Sequence, residues 1–108
     1  MPSVVKYDRQ AVYRGDTISS WSVNITKDGQ PAPLFSAKLE LKNSSGKLIY
    51  DWPVVVSGST VTMETIPSSI SSTFPVGTLE FSLEVTLVGG RTVTWLIGTQ
   101  KILSKRVR

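Results

Sequence analysis

FPVGTLEFSLEVTLVGGRTVTWLIG, residues 74–98, is the stretch from which the fold of this chain is read. Leu79, Phe81, Leu83, Val85 and Leu87 alternate with Glu80, Ser82, Glu84 and Thr86. A period of two sends successive side chains to opposite faces of a pleated strand, so this segment predicts an antiparallel strand with one apolar and one wet face. Gly89-Gly90 supplies the positive backbone angles of a tight turn, and Thr92 to Ile97, β-branched and aromatic, returns as the partner strand.

Working outward, the 108-residue chain has the length of one domain. A domain of that size buries roughly 60–70% of the surface its unfolded chain exposes, so no cross-link is needed to hold it. Cys and His are both absent. Their absence excludes a disulfide framework, thiol catalysis, the common zinc sites and the commonest general base. No catalytic residue, cofactor or metal site is expected. The opening Met1-Pro2-Ser3-Val4-Val5-Lys6-Tyr7-Asp8-Arg9 lacks the basic segment and apolar core of a signal peptide, and no stretch approaches the ~20 apolar residues of a membrane span. The product is expected to be made in the cytoplasm and to stay there at first.

The formal charge is +4, yet residues 1–100 carry eight Lys or Arg against eight Asp or Glu. The excess is confined to Lys101, Lys105, Arg106 and Arg108. Nucleic-acid grooves are met by a basic stripe interleaved with aromatics, and this tail has none, so no nucleic-acid partner is expected. Lys105, Arg106 and Arg108 are instead candidate contacts to an acidic neighbour, Arg offering bidentate bonds to carboxylates. A solvated basic terminus that aids solubility is the alternative.

Elsewhere the pattern predicts about seven to eight short strands with firm punctuation. Trp21, Val23 and Ile25 alternate with polar residues up to the turn Lys27-Asp28-Gly29-Gln30, and Ala37, Leu39 and Leu41 do the same up to Asn43-Ser44-Ser45-Gly46. Both trios are expected to face the core. Pro53 interrupts Leu48 to Val56 and marks an edge, a bulge or a bend between two short strands. The segment 67–75 is expected to be a loop with at most one helical turn, crossing between sheets. Strands with one apolar face must be covered by a second sheet or rolled shut. The expected fold is therefore all-β, an immunoglobulin-like antiparallel β-sandwich over residues 1–103 followed by a basic tail at 104–108. Trp21 or Trp95 would be its central aromatic, and a small Greek-key barrel is the alternative.

The order Tyr13-Arg14-Gly15-Asp16-Thr17, Trp21 and its strand, Asp28-Gly29-Gln30-Pro31, Phe74 to Thr86, Gly90 to Gly98, and the basic close Arg106-Val107-Arg108 resembles the small β-sandwich module of tailed-bacteriophage virion proteins. That module is similar to the N-terminal domain of phage baseplate upper proteins and of related tail and fibre proteins. The resemblance spans nearly the whole chain and departs at its end, where Lys105-Arg106-Val107-Arg108 replaces an expected acidic residue and Thr before the last Arg. It implies a non-enzymatic virion structural protein of the tail, baseplate or fibre, assembled in the host bacterial cytoplasm. Its implied partners are other virion proteins or further copies of itself in a symmetric assembly, with no nucleic acid, membrane or small-molecule ligand. A capsid decoration (cement) protein is one alternative. Another is a carbohydrate-binding module for host attachment, for which Tyr13, Tyr50 and Trp52 could form an exposed aromatic platform.

Other motifs have simpler readings. Arg14-Gly15-Asp16 matches an adhesion tripeptide but also suits a turn entering the next strand. Asn24-Ile25-Thr26 and Asn43-Ser44-Ser45 match the glycosylation pattern without a secretory signal. Asp16, Asp28 and Asp51 are isolated carboxylates with no calcium-ligand spacing.

Overall fold

The computed structural model describes residues 5–104. In chain order the elements are β1 (Val5–Lys6), β2 (Arg9–Tyr13), β3 (Trp21–Asn24), β4 (Thr26–Lys27), β5 (Gln30–Pro31), β6 (Leu34–Lys42), β7 (Leu48–Trp52), β8 (Val54–Ser57), β9 (Thr60–Met63), the single helical turn α1 (Ser68–Ser71), β10 (Gly77–Leu87) and β11 (Thr92–Leu103). One sheet runs β1-β11-β10-β6-β7, with β2 also pairing with β11; a second runs β3-β9-β8, and β4-β5 form a small hairpin. Both principal sheets are open, so the fold is an immunoglobulin-like sandwich and the barrel alternative falls.

Three differences from the expected strand set have local causes. The strand segments number eleven because Tyr7-Asp8 separates an added β1 from β2 and Ile25 separates β3 from the short β4–β5 hairpin, while Pro53, as expected, divides β7 from β8, which lie in different sheets. The β10–β11 connection is the four-residue Val88–Arg91, with both glycines at positive φ (114° and 97°). Finally, β1 and β2 run parallel to β11, Val5 opposite Leu96 and Tyr13 opposite Leu103, whereas the remaining pairings are antiparallel.

The core sits between the sheets. Leu79, Phe81, Leu83 and Val85 of β10 and Leu39 and Leu41 of β6 are buried there against Val61 and Met63 of β9. The wet face of the large sheet carries Lys38, Glu40 and Lys42, with Glu40 3.5 and 3.7 Å from the two lysines. Such exposed pairs contribute little. The segment after β9 passes through α1 to β10 and so crosses from the small sheet to the large one. Its crossing is pinned by Ser71, which is fully buried and donates from Oγ to the Asp16 carbonyl at 2.6 Å. Arg14-Gly15-Asp16 is a turn, Asp16 N–H donating to the Tyr13 carbonyl at 3.0 Å with Gly15 at φ 93°. Asn43 closes another: its Oδ1 accepts from the Ser45 and Lys47 backbone N–H groups at 3.0 and 2.9 Å.

One glycine is fixed by its neighbours. Gly98 faces Phe81 across the β10–β11 ladder, beside the point where the Tyr7 N–H donates to the Ile97 carbonyl at 2.8 Å. A β-carbon at position 98 would clash with the Tyr7 carbonyl and lie 2.7 Å from Phe81 Cζ. Only a residue without a side chain lets the Tyr7 backbone and the Phe81 ring meet there.

Candidate functional site

Two breaks in strand register shape one end of the sandwich. Between β10 and β6, Thr86 pairs with Ser36 and Leu87 with Leu34, which leaves Phe35 as the extra residue of a β-bulge. Between β10 and β11, Leu83 pairs with Leu96 and Glu84 with Thr94, which leaves Trp95 as the extra residue of another. A bulge re-aims a side chain that regular alternation would have placed elsewhere. Phe35, which strict alternation from Leu41, Leu39 and Ala37 would turn inward, is 78% exposed, while its neighbour Leu34 is buried. Val88, whose N–H donates to the Pro33 carbonyl at 3.2 Å, is 66% exposed at the same end.

Trp95 lines a cleft of about 490 Å³ between the β10–β11 hairpin and the β4–β5 hairpin. Its apolar walls include Leu87, Val93 and the buried Ile25 and Ala32, and Lys27, Asp28 and Arg91 also line it. Asp28 and Gly29 both have positive φ (55° and 78°), the geometry of a two-residue hairpin turn, so the β4–β5 tip is a tight, preset wall. Among the described residues none of Lys27, Asp28 and Arg91 forms an ion pair. The cleft therefore combines an indole, aliphatic walls, and two cations and a carboxylate not engaged in ion pairs.

A second unusual cluster lies inside the sandwich. The Arg9 guanidinium carbon is 4.9 Å from the centroid of the Trp21 ring and 5.5 Å from that of Trp52. Its Nε donates to Oε1 of the fully buried Gln100 at 2.9 Å, and Gln100 Nε2 donates to the Gln10 carbonyl at 2.9 Å. Tyr7, Trp52 and Phe81 surround the Trp21 ring at centroid distances of 5.4, 5.8 and 5.6 Å. Burial draws the Arg9 pKa below its ordinary value, with the electrostatic influence of the nearby Tyr7 acting in the opposite direction. A guanidinium remains protonated at neutral pH, and here ring quadrupoles stand where a carboxylate usually would. The cluster joins β2, β3, β7 and β11 and reads as a structural clasp.

The aromatic platform does not form. Trp52 is 2% exposed and donates from its indole to the Glu64 carbonyl at 2.6 Å, and the half-buried Tyr50 packs on Phe74 at 5.6 Å. Tyr13 lies on β2, at the opposite edge of the large sheet from β7. The reason is the alternation of β7: Tyr50 and Trp52 share its inward face. Trp21 and Trp52 fill the role of central aromatics, while Trp95 faces the cleft. Lys105, Arg106 and Arg108 lie outside the described residues. Phe35 and Trp95 went unrecognised in the sequence as site residues; the available signal is the adjacent apolar residues, Leu34-Phe35 and Trp95-Leu96-Ile97, inside otherwise alternating strands.

No protein-family model and no curated protein sequence matches the chain. Among solved structures the fold is similar to that of CopC from Methylosinus trichosporium OB3b, with a TM-score of 0.59 at 11% identity over 94% of this chain and 90% of that one. The Ig1 domain of mouse SynCAM 2 aligns over 95% of this chain and 96% of that domain, with a TM-score of 0.38 at 9% identity. The likeness to CopC is one of fold.

Proposed function

We propose that the chain is a non-enzymatic structural module of a tailed-bacteriophage virion, docking on a tail, baseplate or fibre component through the end of the sandwich that carries Phe35 and Val88. The observation that carries this reading is the apolar exposure there, 78% at Phe35 and 66% at Val88, on a β-bulge that turns a Phe out of the core. Covering a Phe side chain contributes about 1.5–3 kcal/mol, and aromatic residues seated in a partner's pocket dominate docking energies. The resemblance of the chain to phage virion modules supplies the assembly in which such a contact would be used.

The test is particle incorporation of Phe35→Ser combined with Val88→Ser, with imaging of intact particles. The reading expects the variant to melt at the same temperature as the parent and to be depleted from particles, and the parent to be seen on tails. Placement on capsid symmetry axes would make it a decoration protein. Undiminished incorporation of the variant would refute docking through this end, and absence of the parent from particles would refute the virion assignment.

A further inference from the structure

We propose that the cleft beside Trp95 binds an anionic saccharide, with a pyranose ring stacked on the indole and its acidic group held by Lys27 and Arg91. The proposal goes beyond docking through Phe35 and uses different side chains. Its first support is the β11 bulge: Trp95 has no cross-strand partner on β10, and the indole lines the cleft. Bulges recur where a strand must present one side chain to a ligand. The second support is charge. Lys27 comes from one hairpin and Arg91 from the other, both line the cleft, and neither has a carboxylate partner among the described residues. Two such cations attract an anion, and Arg offers it a planar fork.

Asp28 narrows the ligand class. A carboxylate in the same cleft accepts hydrogen bonds from hydroxyl groups and repels a second phosphate, so a sugar bearing one acidic group fits better than a polyanion such as nucleic acid. The aliphatic walls match the C–H faces of a pyranose, and Thr94 also lines the cleft. A volume of about 490 Å³ lies within the ~300–1,000 Å³ of small-ligand sites. The resemblance implies no small-molecule ligand, whereas this cleft is gathered from β1, β4 and its flanks, and the two strands beside the β10–β11 turn, residues far apart in sequence.

The acidic group could be a carboxylate or a phosphate, and the experiment separates them. Calorimetric titration of the full chain uses galacturonate, glucose 6-phosphate, neutral maltose and adenosine monophosphate. One of the two anionic sugars is expected to bind saturably and more tightly than maltose, and the one that binds identifies the acidic group. Trp95→Ala is expected to weaken it about tenfold or more, the effect of one stacking contact. Lys27→Gln and Arg91→Gln, both exposed and tolerable to the fold, are expected to weaken it and to reduce its salt dependence. Phe35→Ser is expected to leave sugar binding unchanged, which separates this site from the docking end. No saturable binding by either anionic sugar, undiminished binding to the Lys27 and Arg91 variants, or a preference for the nucleotide would overturn the proposal.

Discussion

Replacing Arg9 by Met tests whether aromatic rings hold the cation inside this sandwich. The substitution removes two ring contacts, at 4.9 and 5.5 Å, together worth about 1–3 kcal/mol at a half-buried site. It also strips the bond to Gln100 Oε1 and leaves that buried acceptor unmatched, at about 1–3 kcal/mol. Against these stands relief: Arg9 Nη1 is buried without a hydrogen-bond partner among the described residues, and its removal returns about 1–3 kcal/mol. The balance is a destabilisation of about 1–3 kcal/mol, read as a loss of about 4–8 °C in melting temperature per kcal/mol. Gln100→Leu alone strands Arg9 Nε and the Gln10 carbonyl and should cost at least as much. The double variant removes both halves of the bond, so its cost should fall short of the sum by about 1–2 kcal/mol. Urea unfolding followed by far-ultraviolet circular dichroism measures all three. Additivity within about 0.3–0.5 kcal/mol would refute the coupling, and an Arg9→Met protein as stable as the parent would refute the role of the rings.

Further outcomes are expected in the same assay. Gly98→Ala should destabilise by about 3 kcal/mol, the top of the range for overpacking, because the obstructing atoms include the Tyr7 backbone carbonyl; a neutral effect would mean that the Tyr7 backbone does not lie against Gly98. Phe81→Ala and Leu83→Ala should each cost about 2–5 kcal/mol through transfer energy and residual cavity, while Glu84→Ala on the exposed face should stay within about 0.5 kcal/mol. A reversed ranking would place the core on the other face of β10.

The sandwich was legible where alternation runs unbroken. Leu79 to Leu87 declared its inward face, Pro53 its bend, Asp28-Gly29 and Gly89-Gly90 their turns, because each rests on interactions between residues near in sequence. What alternation conceals is register. A single extra residue in β6 and another in β11 moved Phe35 and Trp95 to surfaces that a period of two does not assign them, and only the partner strand determines where such a residue falls. The clasp was illegible for a related reason: Arg9 and Gln100 lie 91 residues apart and meet because β2 runs parallel to β11, a pairing with no local signature. An exposed platform does not form because aromatic content carries no strand phase, and Tyr50 and Trp52 share the phase of the core.

The parallel seam between the first strands and the last also sets how the domain answers to force. Tyr7 N–H donates to Ile97 and Arg14 N–H to Leu103, so the described seam begins at Val5 and closes just beyond Tyr13 along one edge. A pull applied at the two ends of the described chain acts along these strands in opposite directions. Because the strands are parallel, that load is a shear: the seam's hydrogen bonds are strained together, where an antiparallel hairpin pulled from its open end gives way one bond at a time. Rupture under force is governed by the barrier to unfolding, and pulling β2 from the edge also draws the Arg9 guanidinium away from the Trp21 and Trp52 rings it rests against. A load applied across the two ends of the described chain therefore passes through this edge, with the remaining strands out of its line.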